Sequence, residues 1–412
     1  MARLLLVFYS CSVKVKTFRI IISFKTFSKF NSSKNGNINI FNYQNNFVKI
    51  MSTNIVVLGS CMIDFTCYAS RLPKPGETIF GSEFKIKYGG KGANQCVSAA
   101  KLGATTTLIG SLGNDNYAKT YLDILKKENV DTAYIQIQKD KQSGIAHITV
   151  ASNGENSIVV VPGANDLLSV DQVIYSADLI KNATVLLCQF ESPLDATLQA
   201  LRIHKGHGLS IVNGSPAVEN IHPEIFELCD IFCINETEAE LITGVQPLML
   251  SNAQNAIDIL FSKGCNMVIL TLGSLGAVYA SKENRKITQI STTKVDPIDT
   301  TGAGDAFLGS LSYFKAYHPH LSTKECISRA CKIATETVLK IEPNRSKVRR
   351  AHRLVREAFS FSLIHSSLSL SLSFSLFLSL FSLPLSLSLS LSGPIGEGDL
   401  YVFRRLSIIG NL

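Results

Sequence analysis

Short β-rich runs recur through the middle of the chain, with helical stretches between them. Val185-Leu186-Leu187-Cys188 is followed by a helical stretch over residues 193–204. Leu209-Ser210-Ile211-Val212-Asn213, Ile231-Phe232-Cys233-Ile234 and Met267-Val268-Ile269-Leu270 are again separated by helical segments. Such alternation predicts an α/β fold of βαβ units, a mostly parallel central sheet with helices on both faces. Ligands of these sheets bind outside the carboxyl ends of the strands. Two segments break the pattern. Residues 78–88 contain no crossover helix, and residues 144–161 carry Asn153-Gly154, a hairpin turn signal between two strand-like runs. Segments near 76–88 and 144–161 are therefore expected to form a small β-sheet lid.

Asp299-Thr300-Thr301-Gly302-Ala303-Gly304-Asp305 immediately precedes the apolar helical run Ala306-Phe307-Leu308-Gly309-Ser310-Leu311. Small residues there let the backbone approach an anion, and a helix N-terminus favours phosphate. The N–H groups of Gly302, Ala303 and Gly304 are expected to converge on one point. Asp305 would repel a phosphate bound there. Its position makes sense if the carboxylate takes a proton from a hydroxyl attacking phosphorus. The alternative is a helix-capping acid.

A second cluster, Tyr88-Gly89-Gly90-Lys91-Gly92-Ala93-Asn94, precedes a helical stretch closed by Gly103. It lacks the spacing of a Walker loop. Its lysine and asparagine suit a polyhydroxy ligand, or else the cluster is a loop with a solvated lysine.

Together the two clusters resemble the N- and C-terminal signatures of the ribokinase family, the PfkB-type carbohydrate kinases. The resemblance runs over most of the globular part. It implies a three-layer α/β/α sandwich with a β lid, and transfer of the ATP γ-phosphate to the 5-hydroxyl of D-ribose. The form Gly90-Lys91-Gly92-Ala93-Asn94 points to ribose rather than adenosine or fructose. It implies that Met62, Asp64, Gly90, Lys91, Gly92, Asn94 and Glu191 hold the sugar, with Asp305 as base. Asn235 and Glu238, in Asn235-Glu236-Thr237-Glu238, match a motif associated with Mg²⁺ and phosphate, Glu238 acting through water. The turn Thr271-Leu272-Gly273-Ser274-Leu275-Gly276, with Gly304, would bind ATP. Asp299 and Thr301 match half of a site for K⁺, and a homodimer formed through the lid is implied. Residues 340–350 lack the family's loop that completes the cation site and closes over adenine. A kinase for another sugar or a nucleoside, or an inactive ribose-binding protein, are the alternatives. Without that family context, Asp64 and Glu191 could also be structural caps.

The net charge of +8 belongs to the ends. Residues 1–50 carry eight Lys or Arg and no acid, whereas residues 51–342 hold 24 basic and 29 acidic residues. No basic stripe with interleaved aromatics marks the middle, so nucleic acid is not an expected partner. Residues 1–50 are expected to lie outside the fold, as translated leader before Met51 or an import presequence. Residues 51–342 are expected to form the kinase domain, and 343–412 a low-complexity tail. Within that tail, residues 360–392 largely alternate Leu with Ser and lack the continuous apolar run of a membrane span. Ten cysteines, mostly within apolar runs, read as reduced core thiols of an intracellular protein, with the cytoplasm as the expected compartment, the nucleus as a second one, and the mitochondrion only if the presequence is real.

Overall fold

The computed structural model describes residues 53–339. The expected leader and tail lie outside the described residues. In chain order the strands are β1 (Ile55–Leu58), β2 (Met62–Ala69), β3 (Gly81–Gly89), β4 (Thr106–Gly113), β5 (Val130–Asp131), β6 (Ile135–Gln138) and β7 (Gly144–Ala151). They continue with β8 (Asn156–Val161), β9 (Val185–Cys188), β10 (Leu209–Asn213), β11 (Ile231–Asn235), β12 (Met267–Thr271), β13 (Ala277–Ser281) and β14 (Thr288–Ile290). The helices are α1 (Lys91–Lys101), α2 (Asn116–Lys127), α3 (Val170–Tyr175), α4 (Ala177–Lys181) and α5 (Leu194–His204). After them come α6 (Pro223–Leu228), α7 (Glu236–Thr243), α8 (Ala253–Ser262), α9 (Ala303–Tyr317) and α10 (Thr323–Val338).

The central sheet runs β14-β13-β12-β11-β10-β9-β1-β4-β5, with β6 also paired to β4. It is parallel from β12 through β4, and only the edge pairs β12–β13 and β13–β14 are antiparallel. Alternate side chains feed two cores. Val56, Leu58, Leu186, Val212 and Phe232 pack with residues of α5, α6 and α8 on one face. Ile55, Val57, Leu187, Ile211 and Ile269 pack with α1, α2, α9 and α10 on the other. Strands buried on both faces have to read as largely apolar runs, as these do. Among the described residues every cysteine is a free thiol, and all but Cys67 are buried. Among the described residues no helix is long and apolar enough to cross a membrane.

A separate four-stranded sheet, in the order β3-β2-β7-β8, forms the lid. The Asn153-Gly154 turn closes the β7–β8 hairpin, and Gly154 takes φ +90°. One lid strand differs from expectation. The segments near 76–88 and 144–161 alone predict the lid, but the chain turns at Gly59–Cys61 and enters β2, which adds a further lid strand. Asp64 is thus the third residue of a lid strand, paired with Lys87 of β3 and Ala146 of β7. The helix expected after the Tyr88–Asn94 cluster also begins earlier, at Lys91, so Lys91, Gly92 and Asn94 lie in its first turn.

Candidate active site

Asp305 lies in the first turn of α9 and faces the first turn of α1. Asn94 Nδ2 donates to its Oδ2 at 3.0 Å, and Gln95 Nε2 donates to Oδ1 at 2.9 Å. The two helices approach closely at Gly309, one turn after Asp305. A Cβ there would fall 2.4 Å from the Gln95 carbonyl oxygen and 2.6 Å from Ser98 Cβ. Burial raises the Asp305 pKa, and Lys91, Gln95 and Asn94 oppose that rise, while Glu191 adds to it.

Glu191 follows β9. Its Oε2 accepts from Ser60 Oγ at 2.5 Å and from the Lys91 N–H at 2.8 Å. This contact ties the end of β9 to the N-terminus of α1 and to the β1–β2 turn. The glycines permit it. Gly90 adopts φ +92°, and a Cβ on Gly92 would sit 2.5 Å from the Ser60 nitrogen. Asn165 stitches the same turn, with Oδ1 accepting from the Cys61 N–H at 2.8 Å and Nδ2 donating to the Cys61 carbonyl at 2.9 Å. Met62 is buried under that turn, with its sulfur 3.5 Å from Asn165 Nδ2.

Asp64 completes a triangle of acids. A Cβ on Gly89 would lie 2.9 Å from Asp64 Oδ2 and 3.7 Å from Asn94 Oδ1, so both side chains converge over the glycine backbone. Burial, and then Glu191, push the Asp64 pKa from 3.8 up to about 6, with Lys87 opposing and Asp305 adding to the rise. Three carboxylates around a half-open cradle can accept several hydrogen bonds from one polyhydroxy ligand.

Asn235 and Thr271 pair in register at the carboxyl ends of β11 and β12. Here Asn235 and Glu238 have a local role. Asn235 Oδ1 accepts from the Glu238 N–H at 2.9 Å, and Glu238 Oε2 accepts from the Asn235 N–H at 2.8 Å. This is a reciprocal capping box on α7. After Thr271 the chain makes a tight turn in which the Leu272 N–H donates to the Gly276 carbonyl at 2.8 Å. Gly273 and Ser274 lie in that turn, and Leu275 stands half exposed on it.

At α9 the Ala303 N–H donates to the Thr300 carbonyl at 3.3 Å, so it is already engaged. The first-turn N–H groups of Gly304 and Asp305 have no partner inside the helix. A Cβ at Gly302 or Gly304 would meet no atom of the described residues within 4 Å. Asp299 Oδ1 accepts from the Thr301 N–H at 2.9 Å, and the Ile298 N–H donates to the Val338 carbonyl at 2.8 Å, anchoring the segment to the end of α10.

The profile of the pfkB family of carbohydrate kinases matches residues 52–349. The chain belongs to that family. A ribokinase of Mus musculus is 41% identical over 285 residues, covering 69% of this chain and 88% of the relative. A deoxyribokinase of Salmonella typhi is 34% identical over 262 residues, covering 63% of this chain and 85% of the relative. The structure of Arabidopsis thaliana ribokinase complexed with ribose and ATP superposes with a TM-score of 0.65 at 29% identity, covering 73% of this chain and 98% of that one. The chain is an enzyme of this family, a sugar kinase of the ribokinase type.

The family motifs gather in two groups. Asp64, Gly90, Lys91, Gly92, Asn94, Glu191 and Asp305 meet at the ends of β1 and β9 under the lid, with Met62 packed beneath the turn. Asn235, Glu238 and residues 271–276 sit at the ends of β11 and β12. Sequence reasoning missed Ser60, Gln95, Asn165 and Gln189. Gln95 and Gln189 are completely buried amides beside named motif residues, and a buried polar side chain is the signal that marks them.

Proposed function

We propose that the chain transfers the γ-phosphoryl group of ATP to the 5-hydroxyl of D-ribose. The observation that carries this reading is Asp305 at the start of α9, held on both oxygens and facing Asp64 and Glu191 across the glycine cluster. The hydroxyl proton passes to Asp305. The freed electron pair forms the bond to the γ-phosphorus, and the bond to the β–γ bridging oxygen breaks, leaving with ADP. Asp64, Glu191 and Asn94, with the backbone at Gly90 and Gly92, hold the sugar hydroxyls, and Lys91 offsets the gathered negative charge. The unengaged backbone N–H groups at the α9 N-terminus, at Gly302 and Gly304 but not at Ala303, whose N–H is held by the Thr300 carbonyl, stabilise charge on the transferring group.

ATP would lie over residues 271–276, with Leu275 offering an apolar surface to the base. Glu238 keeps one carboxylate oxygen outside the capping box, which fits a water-mediated contact to Mg²⁺ rather than a direct bond. The magnesium ion would neutralise phosphate charge when bound. Asp299 and Thr301 fit half of a K⁺ site; residues 340–350, where the family's completing loop is missing from the sequence, lie outside the described residues. The lid would exclude water, which otherwise competes as acceptor. On the face opposite Asp64, Ile86, Phe65, His147 and Val159 form one cross-strand row, and Phe84 stands in the next. Phe84, Ile86, Val159 and Val161 are exposed. This apolar face fits a second copy of the chain packing lid to lid. The Salmonella relative favours 2-deoxyribose as the second acceptor to examine.

Asp305→Asn tests the base. It keeps the shape of the side chain but removes proton acceptance, so turnover is expected to fall at least ~10²-fold while ribose binding, read by calorimetry, persists. Near-normal turnover would refute the assignment.

A further inference from the structure

Gln95 lies outside both groups of motif residues, yet it makes one of the two direct side-chain contacts to Asp305. It is fully buried, with 0% exposure, on the inner side of α1. Its Nε2 donates to Asp305 Oδ1 at 2.9 Å, and its Oε1 accepts from Gln189 Nε2 at 2.7 Å. An ionised carboxylate only accepts hydrogen bonds. Gln95 must therefore turn its NH₂ toward Asp305 and its carbonyl toward Gln189, and Gln189 must present its own NH₂. The two amides form a chain with one direction. Its far end is left unmatched, because Gln189 Oε1 is buried without a partner among the described residues. That oxygen occupies the space where a Cβ on Gly59 would be, 2.0 Å away, so glycine at 59 makes room for it. Gly309 completes the arrangement by letting α1 and α9 approach closely enough for an amide to span them.

We propose that Gln95, locked in orientation by Gln189, is a positioning residue that holds Asp305 as an ionised proton acceptor aimed at the sugar hydroxyl. This rests on the reading of Asp305 as the base. The charged groups facing Asp305 are Lys91 from α1, Glu191 from the segment after β9, and Asp64 from the lid strand β2. Burial and the two acids favour the neutral carboxyl, which cannot take a proton. Lys91 and the two amide donors favour the carboxylate. Gln95 differs from Asn94 in having no sugar-holding role in this scheme and in being clamped from behind.

The test is the pH profile of kcat for the full chain with saturating ribose and ATP. Gln95→Leu removes the donor and should move the acid limb upward by about one pH unit, as loss of a hydrogen bond to a charged group implies. Below that limb kcat should fall about tenfold, with KM for ribose changed less than about threefold. Gln95→Glu keeps length and shape but sets a second carboxylate against Asp305, so its limb should move further up. It carries the test if the leucine variant does not fold. A lowered kcat with the limb unmoved in whichever variant folds would reduce Gln95 to a packing role and overturn the proposal. Asp305→Asn separates the two ideas: retained turnover removes the base itself, whereas lost turnover with wild-type limbs in the Gln95 variants removes only the positioning role.

Discussion

Asp64→Asn should make the unliganded protein more stable and the enzyme worse. Burial and Glu191 raise the Asp64 pKa from 3.8 to about 6, so the folded state holds this proton more tightly than the unfolded chain does. The sign follows. Below about pH 4 the group is protonated in both states and costs nothing. Between about 4 and 6 the unfolded chain ionises while the folded state keeps its proton, so the penalty grows with pH, and above about 6 the folded state carries the disfavoured carboxylate and the penalty is complete. At about 1.4 kcal/mol for each pH unit, the full penalty is at most about 3 kcal/mol, and partial exposure reduces the expectation to about 1–2 kcal/mol. Asparagine imitates the neutral acid. Urea unfolding of the two proteins from pH 4 to 8 should show no gain at the acid end and a gain that grows and then levels above about pH 6. Calorimetry at pH 7.5 should show weaker ribose binding in the same variant. A variant less stable than the parent at pH 7.5, or a difference independent of pH, would refute the claim that the three acids are held together for a ligand rather than for the fold.

Two other perturbations test the scaffold. Gly92→Ala would bring a methyl group to 2.5 Å from the Ser60 nitrogen, where the neighbours are backbone. It should cost about 1–3 kcal/mol in thermal unfolding as an overpacked site, and an unchanged Tm would show that the β1–β2 turn yields freely. If the proposed lid-to-lid dimer forms, changing the 54% exposed Phe84 in Phe84→Glu should shift sedimentation toward a smaller species with little loss of monomer stability; an unaltered sedimentation coefficient would refute that face as the proposed contact.

The parallel sheet was legible because strands buried on both faces must be largely apolar, and β9 to β12 are, with Ser210 the one polar residue inside them, short of their carboxyl ends. Asp305 was legible because an acid beside an anion-binding helix end is electrostatically costly. Strand β2 was hidden because Met62–Ala69 continues the apolar character of β1, and the turn between them is fastened by Asn165, 104 residues from Cys61. A side chain so distant leaves no local signal. The antiparallel edge strands β13 and β14 interrupt the alternation without a helix and were absent from the reading. Asn235 and Glu238 show the opposite case. Their spacing is that of a capping box, so a structural role was readable alongside the phosphate motif. Gln95 and Gln189 sit one and two residues from recognised motif positions, but the bond between them depends on how α1 meets the end of β9.

Phosphoryl transfer to ribose is the activity on which every residue role above depends. The most direct measurement gives the 412-residue chain ATP and Mg²⁺ with D-ribose, 2-deoxyribose, fructose or adenosine in turn, and follows products by phosphorus NMR. The expected result is ribose 5-phosphate and ADP, with kcat/KM higher for ribose than for the other three acceptors. Preference for adenosine, or ATP hydrolysis with no phosphorylated sugar, would contradict it.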